Sequence, residues 1–154
     1  MLHRLETRVP PPVLLVLLGV IAAGTAALLP GIALPLPGRM LMAGTCVLGG
    51  IALNVLPKLT FARAGTTINP LAPQRATQLV TTGLHRYTRN PMYLGRALLL
   101  GGWIVSLQQD AAQVLVGAYV LAITRLQILP EERALAAQFG PAYAAYCRVT
   151  PRWL

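Results

Sequence analysis

Gly83-Leu84-His85-Arg86-Tyr87-Thr88-Arg89-Asn90-Pro91-Met92-Tyr93-Leu94-Gly95 is the densest run of binding-capable groups in the chain, and it stands between long apolar regions. Asn is a preferred N-cap and Pro suits the first helical position, so Asn90-Pro91 predicts the start of a helix. The free backbone N–H groups of such a start attract an anion such as a carboxylate. Arg86 and Arg89, just upstream, are suited to grip the same ligand or a lipid phosphate. A second local reading stands beside this one: a basic loop that meets anionic headgroups and then caps a helix.

Working outward, 154 residues suffice for one domain. With 55% hydrophobic and 11% charged residues and a mean hydropathy of +0.60, the composition departs from that of a soluble domain. Four acidic residues (Glu6, Asp110, Glu131, Glu132) face thirteen Lys and Arg, giving a net charge of +9. Those cations flank apolar segments and form no basic stripe with interleaved aromatics, so the pattern argues against a nucleic-acid partner. It fits a membrane protein with basic cytoplasmic loops. Cys46 and Cys147 have neither disulfide nor metal spacing, and His3 and His85 form no metal cluster.

Residues 9–38 contain no charge, and Val13–Leu29 is their purest apolar run. A bilayer is crossed by about 20 predominantly apolar residues. A cleaved signal peptide competes with a retained helix here, but Pro10-Pro11-Pro12 and the length of the uncharged region favour the helix. Pro30, Gly31, Pro35, Pro37 and Gly38 mark a turn. A second run, Met40–Pro57, holds Asn54 and Pro57 near its end, which suggests that it bends or faces other helices. A long polar connection, about 60–90, follows; connections of that length are functional or disordered. Runs at about 92–107 and 111–129, separated by Gln108-Gln109-Asp110, predict a helical hairpin. Leu135, Phe139, Tyr143 and Tyr146 repeat at helical spacing, predicting a C-terminal amphipathic helix interrupted at Gly140-Pro141.

The expected architecture is an all-α integral membrane protein of about four transmembrane helices with a cytoplasmic cap and a C-terminal helix. Residues 1–59 form a two-helix membrane segment and 60–154 a core. With the N-terminus in the cytoplasm, four crossings put every Lys and Arg except Arg39 on the cytoplasmic side, as the positive-inside rule asks.

Two further features carry chemistry. Glu131-Glu132 is half of the acid in the chain. It either complements the dipole of a helix start after Pro130 or holds a cation at a membrane exit. Arg125 lies inside an apolar run and either snorkels or meets a substrate. Leu79-Val80-Thr81-Thr82-Gly83, Arg86-Tyr87-Thr88-Arg89-Asn90-Pro91-Met92-Tyr93-Leu94-Gly95, an apolar hairpin, Glu131-Glu132 with Leu135, Phe139-Gly140, Tyr143 and Tyr146, and Arg152-Trp153-Leu154 follow one another in this order. This order resembles the isoprenylcysteine carboxyl methyltransferase family of integral-membrane enzymes, which share a C-terminal core with phospholipid methyltransferases. The resemblance covers about residues 60–154.

It implies S-adenosylmethionine as methyl donor and a lipophilic acceptor drawn from the bilayer, with a carboxylate as the expected nucleophile. A phospholipid or small lipophile N-methyltransferase is the alternative, and a non-catalytic membrane protein retaining the fold the third reading. The implied cofactor residues are Thr77, Gln78, Leu79, Val80, His85, Tyr87, Asn90, Pro91, Met92, Tyr93, Glu131 and Glu132, with Arg125 toward the substrate. The expected location is a bacterial inner membrane, with both termini cytoplasmic on the cation count. Three positions depart from the pattern. Asn90 stands where eukaryotic members carry His, His85 replaces a usual aromatic, and Gln127 replaces the arginine that meets a substrate carboxylate.

Overall fold

The structure, a computed structural model, describes residues 6, 8–28, 31, 35–65 and 77–154. Among these, four helical rods and no β-strand form. Helix α1 (Pro11–Leu28) and helix α2 (Leu36–Arg63) come first. A 3-10 turn (Gly83–Arg86) leads into α3 (Pro91–Ser106). A second 3-10 turn (Asp110–Gln113) opens the last rod, made of α4 (Val114–Ile123), a π-helical turn (Thr124–Ile128) and α5 (Leu129–Val149). The all-α class, the hairpin of α3 with α4 and the helix start at Pro91 agree with the sequence reading.

Glycine dictates the tightest packing. On α3, Gly95 and Gly102 lie seven residues apart, hence on one face, and turn that face to α2. A Cβ at Gly95 would come within 2.7 Å of the Gly50 carbonyl oxygen, and one at Gly102 within 2.9 Å of the Cys46 Cβ. Small residues let two backbones approach this closely, and in lipid such approach is what holds helices together. Asn54, expected to face another helix, does so: its Nδ2 donates to the Gly50 carbonyl at 2.8 Å and lies against Gly95. The apolar core gathers Leu18 and Ala22 of α1, Tyr93, Ala97, Leu100 and Ile104 of α3, and Tyr119 and Ile123 of α4. Trp103 Nε1 donates to the Gly19 carbonyl at 3.1 Å, fixing α1 against α3.

The outside of the bundle is apolar, with Val16 and Val20 of α1 and Leu41 and Leu48 of α2 each at least 64% exposed. Two helical stretches, Leu36–Arg63 and Asp110–Val149, are long and apolar enough to cross a membrane.

Two boundaries differ from the sequence reading. Helix α2 does not stop at Pro57 but continues to Arg63 with Pro57 fully buried. Proline removes one N–H and crowds the preceding turn, and the burial of Pro57 itself against the bundle offsets that cost. No loop separates the fourth apolar run from the C-terminal helix. The backbone passes through the π-helical turn directly into α5, the Leu129 N–H bonding to the Thr124 carbonyl five residues back. Pro130 has no N–H for an ordinary helical bond to Leu126, and the widened turn absorbs that gap. Helix α5 is kinked at Gly140 (φ 49°), where the sequence marked an interruption. Helix α2 packs along α3.

Candidate active site

Pro91 opens α3 as expected, but Asn90 does not cap it with its side chain. Its Nδ2 instead donates to the Arg152 carbonyl at 2.9 Å. Thr88 Oγ1 donates to the same carbonyl at 3.3 Å, and the Arg89 N–H to the Pro151 carbonyl at 2.9 Å. The C-terminal residues 150–154 therefore strap the 85–90 segment. Trp153 Nε1 donates to Thr124 Oγ1 at 3.2 Å, carrying the strap on to the π-helical turn. Tyr146 Oη donates to the His85 carbonyl at 2.6 Å and anchors the segment from α5.

The two glutamates have separate fates. Glu132 accepts a bidentate pair from Arg152, Nε at 2.9 Å and Nη2 at 2.7 Å, and Arg89 Nη1 stands 3.0 Å from its Oε1. Its two oxygens are therefore committed to holding the strap. Glu131 accepts a single hydrogen bond, from Tyr93 Oη at 2.6 Å, and its second oxygen meets no donor among the described residues. Arg96 lies 5.5 Å over the Tyr93 ring and acts electrostatically on both Tyr93 and Glu131. Tyr93 and Glu131, 38 positions apart, thus meet where the start of α3 faces the start of α5. Pro91 is buried and Met92 half-buried in the same first turn.

The other predicted residues spread away from this pair. His85 is buried, edge-on to Phe61 of α2 with ring centroids 5.1 Å apart, and its Nε2 has no hydrogen-bond partner. Burial holds its imidazole below the usual pKa, an interaction with the Arg89 backbone working the other way. Tyr87 is 70% exposed and lines a cleft against α2. Thr77 lies against the end of α2, where its hydroxyl reaches the Gly65 carbonyl at 3.5 Å. Gln78 is exposed, and Leu79 and Val80 are half-buried. Arg125 is exposed on the outside of the π-helical turn, whereas Gln127 is fully buried and donates to the Val9 carbonyl at 2.7 Å.

Sequence reasoning missed Arg96, the strap contacts of Arg152 and the anchoring role of Tyr146. Arg96 stands at the entry of the third apolar run. Its place one turn after Pro91-Met92-Tyr93 was the signal that it shares their face.

A family model described as phospholipid methyltransferase matches residues 38–142, more than half of the chain. The chain belongs to the phospholipid methyltransferase family. It is therefore an S-adenosylmethionine-dependent membrane methyltransferase that acts on a lipophilic acceptor. The match begins inside α2, takes in Asn90–Tyr93, the π-helical turn and both glutamates, and leaves α1 and the strap outside. No curated protein and no solved structure matches the chain.

The residues around Tyr93 and Glu131 fit the cofactor. Its amino-acid end needs an acceptor for an ammonium group and donors for a carboxylate. The open Glu131 oxygen offers the first, and the Met92 N–H, which has no partner among the described residues at the start of α3, offers a donor for the second.

Proposed function

We propose that the protein methylates a carboxylate on a lipophilic acceptor, in the manner of the isoprenylcysteine carboxyl methyltransferases. Glu131, Tyr93 and the start of α3 hold the cofactor, and Arg96 orients the acceptor. S-adenosylmethionine supplies an activated methyl group on a sulfonium centre. The chain's own residues then have to orient, exclude water and neutralise charge. Glu131 takes the ammonium group on its open oxygen, while Tyr93 fixes the carboxylate rotamer through its 2.6 Å hydrogen bond. Thr77–Val80 and His85 complete the cofactor's surroundings in this reading, Tyr87 faces the cleft against α2, and Glu132 acts through the strap.

The single observation that carries the choice of a carboxylate is Arg96. It is a cation beside Tyr93 and Glu131, at a site where Arg125 turns outward and Gln127 is already engaged. A carboxylate nucleophile needs no proton acceptor, whereas a lipid amine must first lose a proton. His85, the imidazole of the 83–95 stretch, is packed against Phe61. The family description favours a second reading, N-methylation of a phospholipid amine.

The bundle would cross the membrane four times with both termini in the cytoplasm, an arrangement supported by the cation count. A bacterial inner membrane suits it. A hydrophilic cofactor then arrives from the cytoplasm and the acceptor from the bilayer. Incubating the protein with methyl-labelled cofactor and a membrane extract tests the reading. A base-labile labelled product supports the ester, and a base-stable lipid product establishes the amine.

A further inference from the structure

A cleft whose lining includes neither Tyr93 nor Glu131 lies against the end of α2. Leu56, Leu59, Thr60 and Arg63 from the last turns of α2 form one wall, and Gly83, Leu84, Arg86 and Tyr87 form the other. It is an open cleft of about 420 Å³, lined mostly by exposed side chains. Gly83 shapes the wall: its φ of 62° turns the chain, and a Cβ there would come 3.1 Å from the Thr60 hydroxyl.

The lining has the two-part character of an amphiphile. Arg63 and Arg86 come from different segments, line the same space, and have no ion-pair partner among the described residues. Beside them, Leu56 and Leu59 are 49% and 48% exposed and continue the apolar outer face of α2 that carries Leu41 and Leu48. Two guanidinium groups suit a phosphate, each offering a planar fork of donors. A soluble phosphate has no use for the leucines, whereas the first methylenes of a lipid do. We propose that this cleft binds the phosphate head of an anionic membrane lipid, held by Arg63 and Arg86, with its chains along the exposed face of α2. Its lining shares no residue with the Tyr93–Glu131 pair.

The test uses the full-length protein in a non-ionic detergent, with lipid adducts counted by native mass spectrometry. Dioleoylphosphatidylglycerol is expected to give one saturable adduct, and dioleoylphosphatidylcholine, whose choline opposes the arginines, to bind at least tenfold more weakly. Arg63→Gln combined with Arg86→Gln should weaken the phosphatidylglycerol adduct at least tenfold. Arg148→Gln, an exposed arginine elsewhere, should leave it unchanged. Each single Arg→Gln variant should show at least a threefold loss, which keeps the test decisive if the double variant does not stay monodisperse. Unsaturable adducts equal in all variants would mean general surface charge and would overturn the proposal. So would displacement by 10 mM inorganic phosphate, which would make the cleft a soluble-phosphate site. Loss of S-adenosylmethionine binding in a double variant that stays monodisperse would assign the cleft to the cofactor instead.

Discussion

The seam between α2 and α3 and the strapped segment before α3 are built by opposite means. In the seam, Gly50, Gly95 and Gly102 remove side chains so that two backbones touch, and shape alone resists change. In the strapped segment, residues 60 or more positions apart are joined by directed polar bonds: Asn90 and Thr88 to Arg152, Tyr146 to His85. A seam without side chains has nothing with which to bind a ligand. A region tied by hydrogen bonds leaves some of its groups unspent, and Glu131 is the clearest of these. The two adjacent glutamates repeat the contrast at small scale, one consumed by structure and the other left open.

The contrast is easiest to break at the seam. Gly95→Leu must push a branched side chain into the Gly50 carbonyl and Asn54, and should yield no monodisperse protein by size-exclusion chromatography. Gly95→Ala should survive with a loss of about 1–3 kcal/mol, the usual cost of overpacking, read by thermal unfolding in detergent.

Next in size is Glu131→Gln. Calorimetric titration should show S-adenosylmethionine affinity at least tenfold lower, about 1.4 kcal/mol, with little change in melting temperature. Unchanged affinity would remove Glu131 from the cofactor site.

Glu132→Gln should do the reverse. Arg89 and Arg152 lose their partner, and because Arg152 is partly exposed the cost is about 1–2 kcal/mol, below that of a fully buried pair. The melting temperature should fall while cofactor affinity in the folded fraction changes less than threefold. Equal effects of the two variants on affinity would erase the distinction drawn between them.

The smallest effect is expected at His85. Its folded pKa lies below the usual 6.5, so below that pH the unfolded chain takes up a proton that the folded chain refuses. Stability from this residue is therefore present above about pH 6.5 and declines as the pH falls toward the folded pKa. The melting-temperature difference between the wild type and His85→Asn should shift against the wild type on acidification from pH 8 to pH 5.5. A difference independent of pH would mean that the ring is not held neutral by burial.

Much of this was legible in the sequence because it depends on local or compositional physics. Long uncharged runs announce helices for an apolar environment, and Asn90-Pro91 announces a helix start whatever its partners. The extension of α2 beyond Pro57 was not legible. A proline penalty is local and visible, whereas the burial that offsets it comes from another helix. The continuous rod through Pro130 escaped for the same reason: a π-helical turn has no composition of its own. The strap escaped because Arg152 is separated from Asn90 and Thr88 by more than 60 residues, and a polar pair at that distance leaves no periodicity to detect.

Glu131-Glu132 could be singled out from the sequence as a rare acidic pair, but two adjacent carboxylates look alike in a string of letters. Successive residues on a helix point about 100° apart, so one glutamate turns toward Arg89 and Arg152 and the other toward Tyr93. The sequence by itself determined the helical, membrane-compatible character of the chain, where α3 begins, and which residue types were available for a cofactor. Only the tertiary structure decided which of them were spent on the fold and which were left for chemistry. Hydrogen-bond partners are assigned by proximity in space, and proximity across 20 to 60 residues exists only once the helices have packed.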